Sequence, residues 1–280
     1  MPPAIRRLLR DIPTSVGLLI VLVVVALAIA GPWLAPYPGD ASASHLIRRL
    51  KPPSADFPFG TDNLGRDIFS RVILGARGAL EVSLLVVGAS MAIGVPLGLV
   101  AGYGTGWVSE AIMRVTDVFL ALPQLVLALA LAQMLGPSLE SAMIALVVTY
   151  WPFFTRIVFS ETGQLRTALF VDALQGLGAS RTRILLLHIL PNTASPIIVR
   201  ATIGLGFTIL VAATLGFLGM GATPPDPDWG LAVAQSRTYL PAAWWFATFP
   251  GLAILFTVLG FNLLGDGLRD ILDPRLRRSR

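Results

Sequence analysis

The chain has 280 residues, 55% of them hydrophobic and 13% charged, with a formal net charge of +5. A soluble globule of that composition has too little polar surface to cover itself, so the bilayer is the expected solvent. Cysteine is absent and the two histidines, His45 and His188, lie far apart, which excludes a disulfide framework, a thiolate site and a His/Cys metal centre. The basic residues form no stripe interleaved with exposed aromatics, so nucleic acid is not an expected partner.

A hydrocarbon core of about 30 Å needs roughly 20 apolar helical residues. Residues 1–14, carrying Arg6, Arg7 and Arg10, read as a cytoplasmic segment ahead of a first transmembrane helix at 15–35. "ALAIAGP" at 26–32 offers a cleavage pattern, but the apolar run is long for a signal peptide, and an uncleaved span is predicted. Residues 36–79 form an outer loop rich in Pro, Gly and Asp. In it, "FGTDNLGRDIFSR" at 59–71 reads as a turn followed by a short amphipathic helix on the membrane interface.

Residues 80–266 carry five further spans, predicted at 80–103, 112–136, 139–160, 193–220 and 243–265. A basic tail, 267–280, follows. The fold class is therefore all-α, a polytopic membrane protein with six transmembrane helices and both termini in the cytoplasm. Arg269, Arg275, Arg277, Arg278 and Arg280 in the tail agree with the positive-inside rule. Arg48, Arg49, Lys51, Arg66, Arg71 and Arg77 in the outer segment do not, although Asp40, Asp56, Asp62 and Asp67 offset part of their charge.

Within the core, Gly94, Gly98 and Gly102 recur every four residues, the spacing that lets two helices approach closely in lipid; a second subunit is one candidate for the helix they pack against. Pro123, Gln124 and Gln133 suggest either a polar pathway or a kink with hydrogen bonds between helices. Asp117 and Arg156 fall near predicted span ends and read as anchors or ion pairs. An outer loop at 221–242 opens with "GATPPDPDWG", too proline-rich for a helix.

The longest inner link is 165–192, containing "VDALQGLGASRTRILLLHILPN". Ala168 to Leu177 suits a short helix with Leu169, Phe170, Ala173, Leu174 and Leu177 on one apolar ridge. Gly178 permits a sharp bend, Ser180 can cap a second helix, and Pro191 is expected to stop it before Asn192 leads into the next span. An amphipathic connector resting on the headgroups is the plain alternative. The small residues Gly176, Gly178, Ala179 and Ser180, with Arg181 and Arg183 beyond them, favour close approach of another protein and contact with carboxylates or phosphates.

This stretch resembles the cytoplasmic "EAA" loop of ABC importer permeases, in the dipeptide, oligopeptide and nickel branch, whose version reads V-x-A-A-R-A-x-G-A-S-x-x-R-I…H-x-L-P-N. Val171, Ala173, Gly178, Ala179, Ser180, Arg183, Ile184, His188, Leu190, Pro191 and Asn192 match; Leu174, Gln175 and Gly176 depart from it. "FGTDNLGRDIFSRVILGAR" at 59–77, "MRVTDVFLALP" at 113–123, "FLGMGATPPDPDWG" at 217–230 and "FNLLGDGLRDILDPR" at 261–275 resemble other motifs of the family, in the same order.

The resemblance implies a type I permease fold in the bacterial inner membrane. It implies as partners a homologous second permease in a heterodimer, two ABC ATPase subunits, and a periplasmic or lipid-anchored solute-binding protein. ATP and Mg would be bound by the ATPases and no cofactor by this chain, with Val171, Asp172, Ala173, Leu174, Gly178, Ala179, Ser180, Arg181, Arg183 and Pro191 coupling to them. A P-loop needs Gly-Lys-Ser/Thr, and the sole lysine here, Lys51, follows Leu50. No nucleophile and base share a recognisable constellation, so the chain is not expected to be an enzyme. Peptides are the expected cargo; nickel chelates, glutathione or another small solute are alternatives, and a secondary transporter driven by an ion gradient is a more distant one.

Overall fold

The computed structural model describes residues 11–272. Arg6, Arg7, Arg10, Arg275, Arg277, Arg278 and Arg280 lie outside the described residues. The described residues are mainly helical, and among them five helices are long and apolar enough to cross a membrane and one bent pair passes the same test together.

Helix α1, Ile12–Leu34, is N-capped by Asp11, whose carboxylate accepts the Thr14 amide at 3.0 Å, so the first helix begins inside the segment predicted as 1–14. Helix α2, Ile68–Tyr103, is capped by Asp67 and runs for 36 residues. The segment predicted as a separate interfacial helix is thus the first turn of the second span; with its cap satisfied and no breaker before Pro96, nothing interrupts it. Helix α5, Leu139–Arg166, and helix α10, Trp244–Leu272, also outrun their predicted spans. Residues 267–272 belong to α10 and not to a tail.

The third predicted span, 112–136, is not a single rod. Helix α3, Trp107–Ala121, and helix α4, Gln124–Leu135, meet at 92°. Leu122 precedes proline and is held in the extended region (φ −87°, ψ 139°), which ends α3, and Pro123 then starts α4. The bend matters because α2 and α5 run parallel, and a parallel pair needs a return path between them.

Gly94, Gly98 and Gly102 set that parallel pair, and their partner is α5 of the same chain rather than a second subunit. A Cβ at Gly94 would lie 2.5 Å from the Trp151 carbonyl oxygen, at Gly98 2.7 Å from that of Thr155, and at Gly102 2.7 Å from that of Phe159. Both ridges advance by four residues, so each glycine seats one turn of α5 against α2. Gly98→Leu is expected to force the helices apart and lower stability by roughly 1–3 kcal/mol. Earlier thermal unfolding in detergent checks this against Gly88→Leu, where an added Cβ meets nothing within 4 Å.

The remaining spans surround this pair. Helix α8, Leu190–Phe217, contributes Val211 and Leu215 to a core with Val82, Val86, Ala128, Ala132 and Leu146. Helix α1 lies antiparallel on α10, where Gly17 faces Leu263 and Gly260 faces Ile20.

One end of the bundle is closed by a polar cap. Asp62 Oδ1 accepts the amides of Leu64 and Arg66 (2.9 Å each), and Oδ2 accepts Arg66 Nε at 2.6 Å with Arg71 Nε 3.7 Å away. Arg71 also donates to the carbonyls of Ala41 (2.6 Å), Pro225 (3.2 Å) and Asp226 (2.8 Å), tying the segment after α1 to the loop after α8. Trp229 Nε1 donates to the Val72 carbonyl (3.0 Å) from helix α9, Trp229–Ser236, which begins just past the prolines of the loop predicted at 221–242. Asp67 and Asp228 cap α2 and α9, and burial pushes both carboxyls above the usual carboxylate range.

Candidate functional site

The opposite end carries a hairpin of two short helices. Helix α6, Leu169–Gly176, follows α5 after a two-residue turn. Its C-terminus closes in a Schellman arrangement: Gly178 N–H donates to the Gln175 carbonyl (2.9 Å) and Ala179 N–H to that of Leu174 (3.0 Å). That geometry places Gly178 in the left-handed region, φ +77°, where a residue with a Cβ is strained. Ser180 Oγ then accepts the Arg183 amide (3.3 Å) and starts helix α7, Arg181–Ile184.

Pro191 does not stop this helix. Helix α7, a π-helical stretch at Leu185–Ile189 and α8 run on as one 37-residue rod, with Pro191 in the first turn of α8. The widened register just before the proline lets the rod absorb a residue that has no N–H to donate. Asn192 Nδ2 donates back to the His188 carbonyl (2.6 Å) and ties the widened turn to the regular one. Movement of the hairpin is therefore joined to α8 without an intervening loop.

The hairpin has an anchoring face and a free face. Val171, predicted to contact a partner, is 0% exposed and packs with Ile184, Ile189, Phe154 and Val158. Its position, two residues into α6, turns it toward the bundle while Leu169 and Phe170 turn away. Leu174 and Ala179 are half-buried against the same core. Gln175 Nε2 donates to Tyr103 Oη at the end of α2 (3.1 Å).

On the free face, Leu169 is 87% and Leu177 84% exposed, with Phe170, Asp172, Ala173, Gly178, Ser180, Arg181 and Arg183 also open. Leu169, Phe170 and Leu177 make an apolar ridge that helical spacing had already indicated, but only tertiary contacts separate them from Leu174.

The predicted pathway residues are not brought together. Gln124 and Gln133 are nine residues apart, two and a half turns, and so stand on opposite sides of α4. Pro123 sits at the α3–α4 break. Asp117 and Arg156, read as anchors or ion pairs near predicted span ends, pair with each other, Asp117 four residues and Arg156 ten residues before the ends of α3 and α5.

The chain's relatives are consistent with this architecture. Residues 94–278 match the family described as "Binding-protein-dependent transport system inner membrane component", and residues 3–53 match "N-terminal TM domain of oligopeptide transport permease C". The dipeptide transport system permease protein DppC of Alkalihalophilus pseudofirmus is 43% identical over 98% of this chain and 90% of its own length. The probable D,D-dipeptide transport system permease protein DdpC of Escherichia coli is 44% identical over 96% of this chain and 90% of its own. The glutathione transport system permease protein GsiD of Pectobacterium atrosepticum is 41% identical over 97% and 90%. A chain of the MetNI methionine ABC transporter, solved in inward-facing conformations, superposes with a TM-score of 0.60 over 74% of this chain and 98% of its own; at 19% identity it speaks for the fold alone.

Proposed function

Because the chain belongs to the family of binding-protein-dependent transport system inner membrane components, a multi-pass permease subunit of an ABC importer, we propose that it carries di- or oligopeptides across the inner membrane. Two of the relatives named above are dipeptide permeases, which supports peptides over a nickel chelate or glutathione as cargo.

The free face of the hairpin carries the reading. Leu169, Phe170 and Leu177 expose an apolar ridge beside a glycine bend, a surface suited to the groove of a partner. In our reading the partners are two ABC ATPases that bind ATP and Mg, a homologous second permease completing a heterodimer, and a solute-binding protein, periplasmic or lipid-anchored, on the capped end. Closure of the ATPases drives the hairpin, and the continuous α7–α8 rod passes that motion into the membrane by alternating access.

Both termini and the hairpin are then cytoplasmic and the cap is external. The cap's excess of arginine does not oppose this orientation, since Arg66 and Arg71 are buried on Asp62 and on backbone carbonyls.

The test is uptake of a labelled dipeptide by proteoliposomes holding the complete transporter and its binding protein. Uptake is expected to require internal ATP, to stop with vanadate and to continue with an uncoupler. Uptake that follows an ion gradient without ATP refutes the importer reading, and ATP-driven uptake of another solute but no peptide refutes the cargo.

A further inference from the structure

Three charged side chains lie inside the spans at one level. Arg156 stands ten residues before the end of α5, about 15 Å from that end. Arg200 on α8 and Arg156 on α5 are each seventeen residues, about 25 Å, from the capped ends of their helices, and Asp117 reaches the same level from α3 by pairing with Arg156. Arg200 lies over the rings of Phe153 (4.6 Å) and Tyr150 (5.3 Å). Phe153 and Arg156 are one helical turn apart on α5. The row Asp117, Arg156, Phe153, Arg200 therefore crosses α3, α5 and α8 and carries one surplus positive charge.

A charged side chain at hydrocarbon depth is costly, and such groups almost always face the bundle interior or a water-filled cavity, which argues against lipid as the neighbour of this strip. Two features point to a watered passage in preference to a fixed contact. The Asp117–Arg156 pair is half-exposed, and an ion pair in contact with water is held only weakly, so a passing solute can exchange with either partner. Arg200 rests on aromatic faces with no carboxylate paired to it among the described residues, which leaves its charge available to an incoming anion.

We propose that Asp117, Arg156 and Arg200 form a net-cationic station in the water-filled transport path, where Arg156 and Arg200 receive the carboxylate end of the solute and Asp117 its ammonium end. The identification of that solute as a peptide with free termini rests on the reading above; the station itself rests on the side chains.

The chain's lack of cysteine allows a direct test. Ser160, exposed one turn from Arg156 on α5, is replaced by cysteine in the complete transporter in membrane vesicles, with Leu22→Cys on the exposed side of α1 as the lipid-facing control. Labelling by an anionic sulfonate thiosulfonate and a cationic trimethylammonium thiosulfonate is read on this chain by intact mass, each rate corrected for its reaction with a free thiol.

At S160C the anionic reagent is expected to react at least about threefold faster than the cationic one, because the local potential concentrates anions. Adding R200Q or, separately, R156Q should bring the ratio toward one, and a transported peptide should slow labelling more than its C-terminal amide does. Labelling of S160C only by a membrane-permeant maleimide, as expected at L22C, overturns the station, as does a charge ratio indifferent to R200Q. A preserved ratio in a transporter that takes up no peptide supports the station and rejects the peptide reading, so the two failures are told apart.

Discussion

Gly178→Trp is expected to leave the chain inserted and folded while transport falls roughly thirtyfold to 150-fold, the range for losing about 2–3 kcal/mol at a central contact of an interface. A Cβ at Gly178 meets nothing within 4 Å inside this chain, so the indole disturbs no core. Two effects then have to be separated. The left-handed backbone at φ +77° penalises any residue with a Cβ by about 1–2 kcal/mol, whereas only a large side chain blocks a docking partner. Gly178→Ala carries the strain without the bulk and sets the baseline, with a loss of about tenfold. Uptake and ATP hydrolysis measured together in proteoliposomes decide the matter. Continued hydrolysis with lost uptake identifies the bend as a coupling element, and uptake by the Trp variant equal to that of G178A removes it from the ATPase contact.

Asp62→Ala is expected to destabilise the chain by about 3–5 kcal/mol, the penalty for stranding a buried charge. Arg66 is 1% exposed, and its guanidinium has Asp62 as its ion-pair partner among the described residues; Arg71 retains backbone carbonyls but loses its nearest carboxylate. The same substitution strips two amide donors of their acceptor. Asp62→Asn retains an oxygen for those amides but no charge for the arginines, and should fall between the two. Thermal unfolding of the purified chain in detergent reads the difference, expected to be on the order of 10 °C for the alanine variant. A shift of about 1 °C or less shows that the arginines find water or other partners and that the cap is looser than its geometry indicates.

Much of the fold was legible because its strongest signals are local. The apolar runs long enough to span lipid are helical, although the run at 112–136 is two helices meeting at 92°, a break that follows from what Pro123 does to the residue before it. The glycine bend with its serine cap was equally readable, since the Schellman turn and the N-cap involve only neighbours in sequence. Helix lengths were less readable: Asp67 caps α2 thirteen residues before the predicted span begins at 80, and satisfied caps extend a helix beyond the part that lipid requires.

The sites divide in the same way. Val171 and Leu169 are both apolar and two residues apart, yet one is an anchor and the other a free contact, because α5 and α8 lie on one side of α6 only. The spacing of Gly94, Gly98 and Gly102 announced close approach but not the partner, which is 57 residues further along the chain at Trp151 for Gly94. Asp117 and Arg156 read from the sequence as anchors or ion pairs, and the structure pairs them with each other across 39 residues, which no local pattern could show. Arg200 carried no motif at all, and only the rings of Tyr150 and Phe153 beneath it mark it out.

The sequence by itself determined the solvent, the order of the spans, the bend at Gly178 and the family, since bilayer thickness and backbone conformation act on consecutive residues. Only the tertiary structure decided which faces are spent on holding the chain together and which remain for partners and solute. The physical reason is that burial, ion pairing and depth depend on helices far apart in sequence coming into contact, and no stretch of the chain encodes that on its own.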